Sequence, residues 1–144
     1  MSEECIFCKI IEGEASARKI YEDETTLCIL DIGQIVSDKG DFIPGRCLVI
    51  SKKHVAWFYD LEDEEAGQLF IAATKIARKL KKAFNPQFVT VIIRGQRIPH
   101  AHIILQPSGE GDPMDNWLST IRSTFKLAPA ELLNDMAQKI QKVK

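Results

Sequence analysis

Apolar residues recur at three- and four-residue intervals along one long stretch of this chain: Leu69, Phe70, Ala73, Ile76, Ala77, Leu80 and Phe84. That spacing predicts an amphipathic helix from about Asp63 to Phe84. Acidic residues crowd its start and lysines its end, as a helix dipole favours, and Asn85-Pro86 stops it. Shorter segments rich in Ile, Leu, Val and Thr predict strands over 18–21, 26–32, 46–51, 88–93 and 100–105. Residues 5–11 are apolar on one side and read as a short helix or turn. The segment from Gly33 to Gly45 reads as a polar loop ending in Pro44-Gly45, and 108–113 reads as a second loop. Two closing helices are expected over 117–125 and 129–143. The second carries Leu133, Met136, Ile140 and Val143 on one stripe, which more often marks core than a docking face. Strand pair, strand, long helix, strand pair and helices, in that order, suit an α+β fold: an antiparallel sheet with helices packed on it.

Composition narrows the function classes. A chain of 144 residues suits one domain with a single core. The net charge of −1 provides no global field to recruit nucleic acid or an anionic membrane. The one basic cluster, Lys75, Arg78, Lys79, Lys81 and Lys82, reads as the solvated end of the long helix. No stretch approaches the roughly 20 apolar residues of a membrane span. The first residues show no basic region followed by an apolar run, so a cytoplasmic protein is expected. In that compartment the four cysteines are thiols or metal ligands rather than disulfides.

Two constellations carry candidate chemistry. The chain has three histidines, and two stand in Pro99-His100-Ala101-His102-Ile103-Ile104-Leu105. On a strand, His100, His102 and Ile104 share one face while Ala101, Ile103 and Leu105 pack on the long helix. Neutral imidazole is a nucleophile and base near pH 7, and such a pair also suits a metal or a plain backbone-bonded role. The second constellation is Cys5-Ile6-Phe7-Cys8, whose thiolates can bite one metal ion or serve redox chemistry. Cys28 and Cys47 lie in apolar strands and read as inert core residues.

Taken together and in order, these pieces resemble the histidine triad (HIT) family, particularly its bacterial zinc-binding branch. The resemblance runs from Cys5 to Pro107. It comprises the segment Cys5–Ile11 with Glu14, Ile20–Asp23, Leu30-Asp31-Ile32, Pro44-Gly45 through Ile50, Lys52-Lys53-His54, Gly95-Gln96, His100-Ala101-His102, and Pro107. It implies one domain over 1–144, with a core at about 5–107 and a helical extension at about 113–144. It also implies a dimer with one continuous sheet, and a purine nucleoside phosphate as ligand. His102 would attack the α-phosphorus and form a nucleotidyl-histidine that water then releases. Asp31 would hold the ribose hydroxyls, Leu30, Ile32 and Ile10 would lie by the base, and Gln96 would lie near the phosphate. Cys5, Cys8, His54 and His100 would ligate a structural zinc ion.

The sequence departs from that pattern at three places. Ile104 stands where the third histidine, which contacts phosphate or assists the leaving group, is expected. The loop before Gly95 is short, leaving Arg94 and Arg97 as stand-ins for its phosphate contacts or as solvated hairpin arginines. The loop between Asp31 and Pro44 is long. Three functions therefore stand open at this level: a nucleotide hydrolase or transferase, a catalytically impaired nucleotide-binding module, and a zinc-stabilised interaction protein.

Overall fold

The structure, a computed structural model, describes residues 4–144. Its five-stranded sheet is antiparallel throughout, in the spatial order β1-β2-β5-β7-β6. The strands are β1 (Lys19–Glu22), β2 (Thr26–Leu30), β5 (Cys47–Ser51), β6 (Phe88–Ile92) and β7 (His102–Ser108). Between β2 and β5 the chain forms a separate short ladder, β3 (Ile35–Val36) with β4 (Phe42–Ile43). The segment expected to be a plain loop therefore contains a small hairpin, too short to be visible as an alternating pattern.

Side-chain alternation along the central strands fills two cores. Cys28, Cys47, Val49, Ile103 and Leu105 face one side of the sheet and meet Leu69, Ala72, Ala73, Ile76 and Leu80 of the long helix α2 (Asp63–Phe84). Leu27, Ile29 and Ile50 face the other side and meet Phe7, Cys8 and Ile10 of α1 (Ile6–Glu12). Burying side chains of this size contributes about 1.5–3 kcal/mol each, so both faces are held firmly. α2 starts with the Glu62 N–H donating to the Glu65 carboxylate at 3.0 Å, and it ends at Asn85 in the left-handed conformation.

Gly45, at the entry to β5, also needs a positive φ, of 103°. A Cβ there would stand 2.7 Å from the Phe84 ring and 3.1 Å from Pro107 Cγ. Its N–H and that of Arg46 both donate to Gln34 Oε1 at 3.0 Å. Gln34 thereby ties the long loop back to the strand that follows it.

β7 begins at His102 and runs to Ser108, two residues later at the start and three later at the end than expected. The last helices are α3 (Pro113–Arg122) and α4 (Ala130–Gln141). α3 starts four residues earlier than expected, with Asp112 accepting from the Asp115 N–H at 2.9 Å and Pro113 at its first position. α4 buries none of its residues, so the stripe of Leu133, Met136 and Ile140 is not part of this chain's core. No helix of the described residues is long and apolar enough to cross a membrane.

Candidate functional site

Three segments meet beside the start of β7: α1, the turn after β5 that carries His54, and the Pro99–Ala101 approach to the strand. They bring Cys5, Cys8, His54 and His100 together, with one ligand atom from each lying within 4.8 Å of every other. Cys5 Sγ is 3.3 Å from His100 Nδ1, Cys8 Sγ is 3.1 Å from His54 Nδ1, and the two Nδ1 atoms are 3.1 Å apart. In a tetrahedral site with bonds of about 2.0–2.3 Å, ligand atoms stand about 3.3–3.8 Å apart, so the four atoms are already close to the spacing a single ion requires.

The protonation pattern fits as well. His100 is fully buried, and its Nε2 is 2.6 Å from the Ser51 carbonyl. A carbonyl only accepts, so Nε2 carries the proton. Burial holds the His100 pKa below the ordinary value, against the opposing pull of the Ser51 carbonyl. In the neutral ring this leaves the Nδ1 lone pair facing the cluster, the arrangement of a metal ligand oriented by its other nitrogen. The chemistry of the donor set therefore suits a metal ion.

His102 is oriented by the same turn. Its Nδ1 donates to the His100 carbonyl at 2.6 Å, which fixes the proton there and leaves Nε2 as the atom with a lone pair. Phe7 meets both rings edge-on, at 5.7 Å from His100 and 5.0 Å from His102, so α1 positions the pair as well as its own cysteines. Ala101, Ile103 and Leu105 pack on the α2 side as expected from alternation.

His102 opens into a cavity of about 420 Å³ that Asp31, Leu48, Ile104, Met114 and Trp117 also line. Arg46, Arg94 and Arg97 face the same space, as does Gln96, whose Oε1 accepts from Arg94. A second cavity, of about 670 Å³ and mostly apolar, adjoins it along Phe7, Asp31, Leu48 and Ile98. Ile10, Leu30 and Ile32 line this second one, Ile32 being 95% exposed at its mouth. The residues picked out from the sequence thus fall into two groups, a metal-type cluster and two joined cavities, with His102 and Asp31 in the cavities.

Three features, two of the site and one beside it on β7, lay outside the sequence reading. Arg46 donates from Nε to Asp31 Oδ2 at 2.7 Å, while Asp31 Oδ1 accepts from the Gly33 N–H at 2.9 Å. Trp117 and Met114 of α3 wall the cavity, so the C-terminal part contributes to it. Gln106, two residues beyond Ile104 on β7, is fully buried with its Oε1 unpartnered among the described residues. A lone arginine after Pro-Gly and a glutamine inside an apolar strand are weak sequence signals. The opposed pair of Asp31 and Arg46 becomes visible only once β2 and β5 are known to be neighbours.

Comparison with known proteins agrees with this architecture. A family model described as the HIT domain matches residues 12–107. "Protein hit" of Bacillus subtilis (strain 168) is 37% identical over 139 residues, covering 92% of this chain and 90% of its own length. The adenosine 5'-monophosphoramidase hnt1 of Schizosaccharomyces pombe is 30% identical over 135 residues, covering 89% of this chain and 90% of its own. Among solved structures, SMU.412c from Streptococcus mutans UA159 superposes with a TM-score of 0.81 at 35% identity, over 99% of this chain and 86% of that one.

Proposed function

The chain belongs to the HIT domain family, and on that premise we propose that it hydrolyses purine nucleotides at the α-phosphate with His102 as nucleophile and with a structural zinc ion on Cys5, Cys8, His54 and His100. The observation that carries this reading is the His102 tautomer. With Nδ1–H held by the His100 carbonyl, the free electron pair is on Nε2, in the cavity that Arg94 and Arg97 line. An Nε2–P bond forms as the bond from phosphorus to the leaving group breaks, and the leaving group departs with the electron pair. Water then attacks the phosphorus, the P–N bond breaks, and a proton of that water ends in solution while the nucleoside monophosphate leaves. Two moderate displacements replace one hard one. The arginines hold the phosphate oxygens with paired N–H donors.

Residues 5–107 form the catalytic core in this reading and 113–144 an extension that walls it. The base lies in the apolar cavity against Ile10, Leu30 and Ile32, and the ribose lies at Asp31, where the two cavities join. Gln96 stands beside the phosphate. Cys5, Cys8, His54 and His100 would hold the zinc ion, which would cross-link α1 to the approach to β7; with four protein ligands its role would be structural rather than catalytic.

Ile104 sharpens the substrate class. It can neither give nor take a proton, and losing a general acid costs about 10²–10⁴ in rate. Leaving groups that depart as stable anions, such as sulfate, do not need that proton, whereas the amine of a phosphoramidate does. Adenylyl sulfate is therefore expected to turn over about 10² or more faster than adenosine phosphoramidate. Rapid quench followed by intact mass should detect an adenylylated chain that is absent in His102→Ala. Binding of both compounds with neither turnover nor adduct would replace this reading with that of a nucleotide-binding module.

The sheet edges favour a homodimer. β1 reads Lys-Ile-Tyr-Glu and carries charges, whereas β6 reads Phe-Val-Thr-Val-Ile and carries none, with Val91 half exposed. Edge strands without charge invite pairing. A second copy added at β6 would continue the sheet. Val91→Lys is expected to shift the protein to monomer in analytical ultracentrifugation.

A further inference from the structure

The two joined cavities hold an imbalance of charge that a simple nucleoside monophosphate leaves unexplained. Four of the chain's six arginines line them, Arg18, Arg46, Arg94 and Arg97, and no lysine does. The only carboxylate among the lining residues is Asp31. Such a concentration in a chain of net charge −1 points to a ligand with more than one anionic group.

The arginines divide by position. Arg94 and Arg97 stand on the connection from β6 to β7, beside His102, and suffice for the phosphate that reacts. Arg18 and Arg46 stand elsewhere, just before β1 and just before β5: Arg18 lines the apolar cavity, Arg46 the cavity of His102, and Asp31 lines both. Arg46 gives only Nε to Asp31, and its two terminal nitrogens have no hydrogen-bond partner among the described residues. Arg18 has no side-chain partner among them at all; only its backbone carbonyl is engaged, by the Leu30 N–H. The Asp31 carboxylate is itself neutralised by Arg46, so it repels an added anion less than a free carboxylate would. Both guanidiniums keep N–H pairs in the fork geometry that suits phosphate oxygens.

We infer that the preferred substrate carries a second phosphate, as a monoester on its ribose, seated between Arg18 and Arg46. This rests on the reading above that places the ribose at Asp31. The substrate class is then a 5′-activated nucleotide phosphorylated at the 3′ or 2′ hydroxyl. The same ribose would use the Asp31 carboxylate for its remaining hydroxyl, since a carboxylate has about four acceptor sites and the structure fills two.

The test is calorimetric titration of the full-length zinc-bound protein with 5′-AMP, adenosine 3′,5′-bisphosphate and adenosine 2′,5′-bisphosphate, none of which has a leaving group for His102 to expel. One bisphosphate is expected to bind about tenfold or more tightly than AMP, and whichever does so identifies the hydroxyl. In Arg46→Gln the ratio of bisphosphate to AMP affinity should fall toward one. Arg18→Gln should lower it too, and it leaves the Asp31–Arg46 pair in place should Arg46→Gln disturb folding. Equal affinity for all three ligands overturns the inference while leaving the nucleotide reading intact. A preference that survives in both variants also overturns it, because the second phosphate then sits elsewhere. Failure of all three to bind removes the nucleotide reading and the inference with it.

Discussion

The helices at the two ends of this chain invert what their sequences suggest. α1 has seven residues, no side-chain cap at Cys5 and no acidic residue in its first turn, yet it buries Phe7, Cys8 and Ile10. α4 has twelve residues, Glu131 near its start, Lys139 near its end and a clear apolar stripe, yet it buries nothing. An isolated helix shorter than about 12–15 residues is marginal in water, so neither stands on propensity alone. α1 is helical because the sheet and the cysteine–histidine cluster need its side chains where they are. Amphipathicity in α4 records a demand for burial that the single chain does not meet. The periodicity of a helix thus reports that a face should be covered, and says nothing about what covers it.

Three measurements bear on this contrast. The largest effect should come from the metal-type cluster. If zinc pins α1, chelation or Cys8→Ser should cost about 5 kcal/mol or more, since structural zinc sites bind with roughly 10–16 kcal/mol. Thermal melts with and without chelator would read this, and nucleotide binding should fall in parallel because Ile6, Phe7 and Ile10 line the apolar cavity. Unchanged melting would mean that packing alone secures α1. Next, Phe7→Ala should cost about 3–5 kcal/mol in urea unfolding, the usual loss for a buried phenylalanine. Under the proposed mechanism it should also lower kcat, because Phe7 rests against the His102 ring. Smallest, deletion of residues 130–144 should change stability by no more than about 0.5 kcal/mol, as for other exposed positions. A larger loss would show that α4 is covered by something outside the chain, a second copy being the first to examine by ultracentrifugation.

Much of the fold was legible because its signals are local. α2 runs over the residues its periodicity marks, and Cys47–Ser51 reads as a strand because its neighbours demand an apolar run. The exceptions have physical causes. β7 starts at His102 because the His100 N–H donates to the Ile98 carbonyl and the Ala101 N–H to the Val55 carbonyl, so neither joins the ladder. The β3–β4 hairpin has two residues per strand, shorter than any alternation can reveal. At the site, the four cluster residues were legible as a set through the family resemblance, since spacing alone leaves open which of the three histidines join Cys5 and Cys8. Arg46 was not, because its role depends on Asp31 fifteen residues away, brought close when β2 pairs with β5. Trp117 was expected on a closing helix, but which wall it forms depends on how α3 turns after Pro113.

Gly45 has a consequence for how relatives of this protein can diverge. Two separate obstacles close the position to other residues: a φ of 103°, which strains any side chain, and the Phe84 ring 2.7 Å from where a Cβ would stand. Three sites far apart in the chain, 45, 84 and 107, share one small volume. Shrinking residue 84 would remove the clash and leave the backbone strain, so glycine should persist at 45 in every branch that keeps this turn, while 84 and 107 are free to vary with one another.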